Sequence, residues 1–296
     1  MVLLLPFAGL LTLAVSRRGL SPLRSLAQMI AHRTPSDLQP LGRVEQFAET
    51  ALVVQEINAL LERLRATLAR ERNFLADAAH ELRTPLAVVQ AQAHVMHHAV
   101  DEAQKKQAAH ELDAGVGRAA ELINKLLVTA RLSGDDFSPR LESLDLTALV
   151  QERVALLSSL AARKQIDMEL KATSRVEVRV DRETFVSAVD NVIDNAIRYT
   201  PNGGSILIEI AKDHAGRISL RVADNGVGIS QELHERVFER FYRVNTSEQL
   251  GSGLGLAIVK RVLALHGGRV SLSTGLDQRG LAVAMTLPGG LRSVGG

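Results

Sequence analysis

The chain has 296 residues, a length that accommodates more than one domain. Hydrophobic residues make up 46% of it, enough for a sizeable core, while aromatic residues make up only 3% and Trp is absent. That composition excludes aromatic stacking platforms for single-stranded nucleic acid, and a formal net charge of +2 without a long basic run predicts no direct nucleic-acid partner. Cys is also absent, which excludes disulfides, Cys-ligated zinc and thiol catalysis.

The first residues form an uncharged apolar run. Residues 2–15 contain no charge, and Arg17 and Arg18 follow directly. As a helix this run reaches about 21 Å, less than the roughly 30 Å of a hydrocarbon core. We expect a partial transmembrane helix over 1–15, with residues 16–296 on the cytoplasmic side because basic residues follow it. A signal peptide lacks support, since no basic residue precedes the run and no cleavage site follows; a buried soluble helix stays open.

A polar stretch with three prolines covers residues 16–41, and a long helix is predicted over 44–72. Four apolar residues step along that helix by 4, 3 and 4, the spacing of a coiled-coil seam. They are Val53, Ile57, Leu60 and Leu64. Because no breaker follows, this helix is expected to run directly into the next domain.

Two further helices are predicted over 73–99 and 104–132, and Ser133–Pro139 reads as a linker. The second helix carries apolar residues at helical spacing. They are Leu112, Val116, Ala119, Leu122, Ile123, Leu126 and Leu127. Two helices alone cannot bury such faces, so we expect an all-α hairpin that forms a four-helix bundle in a homodimer.

The pattern changes over residues 141–290, where strands mix with helices. Strand-like runs occur at 166–170, 176–180, 205–211, 217–223, 269–274 and 281–287. Helices are predicted over 147–163, with Asp145 as the cap, and over 181–199 and 254–266. This mixture predicts an α/β sandwich, with a loop-rich and mobile segment at 229–252.

One histidine on the first hairpin helix is predicted to face solvent. A helical rotation places His80 about 140°, and Thr84 about 180°, from the apolar direction set by Leu75. An exposed imidazole is a usable nucleophile near neutral pH, and Glu81 is expected to hydrogen-bond one ring nitrogen. Pro85 is expected to kink the helix. The alternative is an ordinary surface His–Glu pair; a zinc-protease motif would need a second His at position 84.

A second constellation suits a nucleotide. Asn191, Asn195 and Arg198 form a polar stripe on the helix 181–199, where amide oxygens suit Mg²⁺ and a guanidinium suits phosphate. The same stripe would also fit an ordinary surface.

Two glycine-containing segments complete this constellation. The run Asp224–Gly228 (DNGVG) follows a predicted strand, where a carboxylate can accept from the amine of adenine; a tight turn is the alternative. Gly251–Gly255 (GSGLG) opens a helix, where exposed amides favour phosphate. Neither a Rossmann fingerprint nor a P-loop is present.

Together these motifs resemble the sensor histidine kinase family over about residues 73–288. The matching boxes are His80–Leu86 (phosphoacceptor), Asn191–Ala196 with Tyr199–Pro201 (N box), Asp224–Ile229 (first glycine box), Phe238–Phe241 (F box) and Gly251–Leu256 (second glycine box). Residues 16–71 resemble a HAMP linker, with Pro22 and Glu45 at the family's usual positions.

The resemblance implies a dimerisation and phosphotransfer domain over 72–134 and an ATP-binding domain of the Bergerat (GHKL) type over 141–290. It implies that His80 accepts the γ-phosphoryl group of ATP, that Glu81 acts as base or orienter, and that Thr84 supports dephosphorylation of the partner. That partner is a response regulator, phosphorylated on Asp, and the implied location is the bacterial inner membrane.

For the nucleotide, the resemblance implies Asn195 as the Mg²⁺ ligand with Asn191 nearby, and Asp224 as the adenine acceptor. The other implied nucleotide contacts are Arg198, Tyr199, Gly226, Gly228, Phe238, Gly251, Gly253, Leu254 and Gly255. Two other functions compete: an ATPase of the gyrase and chaperone type, independent of His80, and a silent nucleotide-binding scaffold. The stimulus and the identity of the regulator stay open.

Overall fold

The computed structural model describes Arg24 and residues 26–29, 31–34, 37–42, 48–99, 101–134, 137–172, 174–244 and 251–289. The predicted membrane segment 1–15 lies outside these residues, as do Pro22, Glu45 and residues 245–250 of the predicted mobile loop. Within the described ranges, no helix combines the length and the apolar character that a bilayer crossing needs.

The chain divides into two compact units, residues 1–77 and 78–296. In the first unit, the initial turns of helix α1 (Ala48–His98) pack on the preceding segment. Their contacts are apolar and involve Leu26, Leu41, Val54, Ile57 and Leu61. The buried stripe therefore follows the sequence 54, 57 and 61.

The predicted coiled-coil seam only partly coincides with that stripe. Ile57 packs inward, whereas Val53, Leu60 and Leu64 are 43%, 64% and 45% exposed. The packed face is offset because it covers the preceding segment of the same chain. The three outward residues would need another helix to cover them, so a coiled coil stays a prediction.

Helix α1 and helix α2 (Glu102–Ser133) form the predicted hairpin. The side chain of Asp101 caps α2 by accepting a hydrogen bond from the backbone N–H of Gln104. The two helices approach closely at Gly115, where a Cβ atom would lie 3.1 Å from Cγ2 of Val89. A glycine at this position therefore sets the spacing of the hairpin.

The hairpin leaves a large apolar surface uncovered. Five of its apolar residues are between 45% and 64% exposed: Leu75, Leu86, Val116, Ile123 and Leu127. An exposed apolar patch of this kind typically marks an interaction surface.

An α/β domain follows the hairpin. Its helices are α3 (Leu146–Arg163), α4 (Arg182–Tyr199) and α5 (Gly255–Leu265). Its strands are β1 (Glu142–Asp145), β2 (Asp167–Ala172), β3 (Glu177–Val180), β4 (Ser205–Lys212), β5 (Ile218–Asp224), β6 (Arg269–Thr274) and β7 (Leu281–Leu287). A five-stranded sheet has the order β2-β4-β5-β7-β6, and β1 pairs with β3 separately. The pair β2–β4 is parallel, and the other pairs are antiparallel.

The helices pack on one face of the sheet. Alternate residues of β4, Ile206, Ile208 and Ile210, are buried, as the two-residue period of a strand requires. They share one core with α4 and α5 and also with Leu122 and Leu132 of α2. The last part of the hairpin is thus packed against the α/β domain.

The strand and helix bounds of the α/β domain agree with the sequence analysis to within about two residues, and Asp145 caps α3 as predicted. The sequence analysis missed β1, which pairs with β3 through residues 142–145. It also missed three short 3₁₀ turns at Gln231–Leu233, Arg236–Phe238 and Leu276–Gln278.

The hairpin spacing predicts opposite effects at two helical glycines. Gly115→Leu should lower the free energy of unfolding by about 1–3 kcal/mol, because the side chain must displace Val89. Gly117→Leu is the matched control: a Cβ there meets nothing within 4 Å, so helix propensity should raise stability by up to about 1 kcal/mol. Urea unfolding measures both changes, and equal effects at the two positions would contradict the packing described.

Candidate functional site

The side chain of His80 lies on α1 and is exposed, and Thr84 is exposed one turn later. The imidazole makes no hydrogen bond within the described part of the chain. Glu81 is half-buried and does not bond to the ring as expected, because adjacent residues of a helix point in different directions. The imidazole of His80 is therefore open to solvent and free of hydrogen bonds to other side chains of the described residues.

Pro85 neither ends nor interrupts α1, which continues to His98. Its ring is buried in the hairpin. Since Pro has no backbone N–H, the carbonyl of Glu81 lacks its usual helical partner. Pro85 therefore does not break the helix, and the kink stays a prediction.

The two asparagines of the N box meet the start of α5. Asn191 is buried, and its Nδ2 donates to the carbonyl of Ser187 at 2.8 Å. Its Oδ1 is buried without a hydrogen-bond partner, unlike every other buried side-chain oxygen in the described residues. A Cβ at Gly255 would lie 3.0 Å from this oxygen and 3.4 Å from Nδ2 of Asn195. The start of α5 thus encloses an amide oxygen whose hydrogen-bonding capacity is unused.

The guanidinium of Arg198 already pairs with two carboxylates of the chain. Its Nη2 donates to Oδ2 of Asp194 at 3.0 Å and lies 3.5 Å from Oε1 of Glu121 on α2. Burial alone would raise the pKa of Glu121, but the hydrogen bond and charge of Lys125, with the charge of Arg198, lower it below the ordinary value. Nη1 of Arg198 faces Gly251, where a Cβ would lie 3.6 Å away.

Asp224 ends β5 as a buried carboxylate. Its Oδ1 accepts from the backbone N–H groups of Gly226 at 2.8 Å and Leu281 at 3.2 Å. Its Oδ2 has no hydrogen-bond partner among the described residues and, unlike Oδ1 of Asn191, is not fully enclosed. Burial raises the pKa of Asp224, and the two N–H donors only partly oppose this shift. One oxygen is thus fixed while the other is available to a donor.

The glycines of both boxes are required by close backbone approaches. A Cβ at Gly226 would lie 2.3 Å from the carbonyl oxygen of Tyr199. Gly253 has a φ of +66°, and a Cβ there would lie 2.6 Å from the carbonyl carbon of Phe241. Gly228 has the same φ, and its Cβ would meet the carbonyl of Gly280 at 2.7 Å. The first glycine box therefore packs on the end of α4 and on Gly280, and the second packs on the F box.

Of the other residues predicted to contact the nucleotide, two are partly exposed and one is fully buried. Tyr199 is 36% exposed and Phe238 is half-buried under Nζ of Lys260, 5.3 Å from the ring centroid. Leu254 is fully buried in the core, so its side chain anchors the start of α5 and is not available to a ligand.

The sequence analysis missed the support behind Asp224. Cβ atoms at Gly275 and Gly280 would both lie 2.1 Å from the carbonyl oxygen of Asp224. Together with the N–H of Leu281, these glycines form a tight cradle around the end of β5. The two glycines in 275–280 are a weak signal for such a cradle because the contact is remote in sequence.

The raised pKa of Asp224 predicts a pH-dependent stability difference from Asp224→Asn. A carboxyl whose folded pKa exceeds its unfolded pKa contributes stability at low pH that is lost as pH rises through the folded pKa. Asn keeps the acceptor for both N–H groups but never ionises. We therefore expect the wild-type chain to lose stability relative to Asp224→Asn between about pH 4 and pH 7. Urea unfolding at both pH values tests this, and a difference that does not change with pH would contradict it.

Two family models match the chain. Residues 70–134 match the His Kinase A (phospho-acceptor) domain, and residues 180–290 match the histidine kinase-, DNA gyrase B-, and HSP90-like ATPase. The first match contains His80, and the second contains the asparagines, Asp224 and both glycine boxes.

Two sensor proteins are similar to this chain over most of its length. The chain is 37% identical over 270 residues to the swarming motility regulation sensor protein RssA of Serratia marcescens, covering 91% of this chain. It is 36% identical over 289 residues to the sensor protein kinase PmrB of Pseudomonas aeruginosa, covering 97% of this chain. The chain spans 58% and 60% of the lengths of these relatives.

The crystal structure of full-length ShkA in complex with AMPPNP is similar with a TM-score of 0.56 and 26% identity, over 74% of this chain and 46% of that one. A phospho-acceptor hairpin followed by an ATPase-type α/β domain, matched in sequence and in fold, establishes that this chain belongs to the sensor histidine kinase family.

Proposed function

We propose that the protein is an ATP-dependent protein histidine kinase that phosphorylates itself on His80. The observation behind the proposal is that the chain combines an exposed, unbonded imidazole in the phospho-acceptor domain with two oxygens in the ATPase-type domain that lack hydrogen-bond partners, Oδ1 of Asn191 and Oδ2 of Asp224. The first group is a nucleophile, and the others are acceptors suited to a metal-bound nucleotide.

We infer that adenine and phosphate are bound by different glycine boxes. Oδ2 of Asp224 is the proposed acceptor for the exocyclic amine of adenine, because Oδ1 is already bonded to the N–H groups of Gly226 and Leu281. The glycines at 251, 253 and 255 bring backbone amides to the start of α5, where phosphate is favoured. Support also comes from ShkA, whose structure holds AMPPNP. Tyr199 and Phe238 would border the nucleotide.

The N box supplies side-chain amides of the kind that Mg²⁺ binds. Asn195 is the proposed ligand, with Asn191 beside it, because both amides lie against Gly255 at the start of α5 and Oδ1 of Asn191 has no hydrogen-bond partner. Mg²⁺ keeps several waters and takes few protein ligands, so two amides suffice. When bound, the ion neutralises phosphate charge.

Phosphoryl transfer then requires mainly positioning and charge stabilisation. A ring nitrogen of His80 forms a bond to the γ-phosphorus, the bond from that phosphorus to the bridging oxygen breaks, and ADP leaves. Glu81 is the proposed acceptor of the ring proton after reorientation. Arg198 would exchange its carboxylate partners for phosphate.

We further propose that the phosphoryl group passes to an Asp of a response regulator and that Thr84 supports its later hydrolysis. The uncovered apolar surface of the hairpin supports a homodimer built as a four-helix bundle. The proposed layout is a membrane helix at 1–15, a HAMP-like linker at 16–71, a phosphotransfer domain at 72–134 and a catalytic domain at 141–290. The proposed location is the bacterial inner membrane, with residues 16–296 cytoplasmic.

Labelling with γ-³²P-ATP and Mg²⁺ tests the kinase assignment on the 296-residue chain. We expect an alkali-stable, acid-labile label that His80→Gln abolishes. The matched control is His94→Gln, an exposed histidine of the same helix, which should retain the label. ATP hydrolysis that survives His80→Gln without labelling would favour an ATPase, and nucleotide binding without any chemistry would favour a scaffold.

Removal of Mg²⁺ gives a separate test of the N box. Asn195→Ala should remove the gain in ATP affinity that Mg²⁺ provides, a loss of at least the roughly tenfold typical of metal-site substitutions. Asn202→Ala, in the exposed turn after α4, is the control. Calorimetric titration with ATP, with Mg²⁺ and with EDTA, measures the gain. An undiminished gain in Asn195→Ala would rule out this ligand.

A further inference from the structure

Lys164 makes three hydrogen bonds to the end of α4. It lies at the C-terminal cap of α3, and its Nζ donates to the carbonyl oxygens of Ile197 at 2.9 Å, Arg198 at 2.8 Å and Thr200 at 2.9 Å. An ammonium group has three N–H donors, so Lys164 uses its full donor set on this one turn.

These carbonyls need a partner from outside their helix. The last carbonyls of an α-helix have no intrahelical donor, and a cation is favoured at that end. The backbone carbonyl of Lys164 also accepts from the N–H of Gly203, beyond the same turn. Lys164 thus holds the chain on both sides of the point where α4 ends.

That turn is shared by both glycine boxes. The carbonyl oxygen of Tyr199 lies against Gly226 of the first box, at 2.3 Å from its ideal Cβ position. Nη1 of Arg198 and Oη of Tyr199 lie 3.6 Å from the ideal Cβ position of Gly251, in the second box. Lys164 itself contacts neither box, but every carbonyl it binds belongs to the segment that does.

We propose that Lys164 is a positioning residue of the nucleotide site, which fixes the end of α4 so that Arg198 and Tyr199 meet the glycine boxes in register. The inference rests on the proposed function, since it assumes that the α/β domain binds ATP. It concerns affinity for nucleotide and not the reactivity of His80.

A purely structural helix cap is the competing explanation. Burial lowers the pKa of Lys164, and the nearby charge of Arg198 adds to the shift. The fold therefore carries a charge that burial disfavours, and an uncharged residue of similar length would relieve that cost. A cap alone predicts a change in stability, whereas a positioning role predicts a change in nucleotide affinity.

The test measures ATP affinity by calorimetry and the KM and kcat of autophosphorylation on the 296-residue chain. Lys164→Met should raise the Kd and the KM for Mg·ATP about tenfold and leave kcat within about twofold. Lys164→Arg should recover most of the affinity, because it restores a cationic donor. Lys171→Met, which removes an exposed lysine paired with Glu169 at 3.1 Å, should change nothing.

A double-mutant cycle with Arg198→Ala tests the route of the effect. If Lys164 acts by placing Arg198, Lys164→Met should weaken binding less than about threefold once the guanidinium is gone. A further tenfold loss in that background would overturn the connection.

The outcomes separate the two proposals. An unmodified chain that binds no Mg·ATP overturns the proposed function and this inference together. If the unmodified chain binds but Lys164→Met binds equally well, with or without a lower melting temperature, only the positioning role is overturned. If Lys164→Met does not fold, Lys164→Gln is measured by the same criteria, since its amide keeps donors for part of the turn.

Discussion

The architecture of the candidate site depends on one close approach, the contact of the Tyr199 carbonyl with Gly226. It places the last turn of α4 directly against the end of β5, where any side chain at 226 would collide. The buried face of α4 holds the helix on the sheet, so its polar face must point toward α5 and Gly255. Asparagines, a carboxylate and glycine-containing backbone from distant segments are thereby brought together around α4. No single motif would specify it.

The hairpin contacts the α/β domain through polar and charged groups as well as through apolar side chains. Leu122 and Leu132 enter the core of the α/β domain, and Nε of Arg261 on α5 donates to the carbonyl of Leu132 at 2.7 Å. Glu121 reaches Arg198, the residue proposed for phosphate, from the same helix. In this arrangement the phosphate-binding candidate is occupied by carboxylates, and the hairpin that presents the nucleophile is packed against the domain proposed to hold ATP.

The sequence predicted much of this because its signals are local. The spacing of apolar residues predicts the helices and the strands of the sheet, and the five boxes identify the residues of the candidate site without any knowledge of its geometry. Contacts between segments that are distant in the sequence could not be predicted. The strand β1 is short and polar and is defined only by its pairing with β3. The hydrogen bond from the N–H of Leu281 to Asp224 joins residues that are 57 positions apart. Lys164 was missed for the same reason, since its acceptors are backbone carbonyls that no sequence pattern displays. The expected hydrogen bond between Glu81 and the ring of His80 is absent, because adjacent residues of a helix point in different directions. The helical rotation used for His80 and Thr84 already implies this.

The proposed reaction requires that nucleotide held by the α/β domain delivers its γ-phosphoryl group to the imidazole of His80. Mass spectrometry of peptides prepared under alkaline conditions, after incubation of the 296-residue chain with Mg·ATP, tests it most directly. We expect phosphate on the peptide containing His80, assigned to that ring by fragmentation, and none on peptides containing the other histidines. Phosphate on a different residue, or a phosphorylated protein with an unmodified His80, would contradict it.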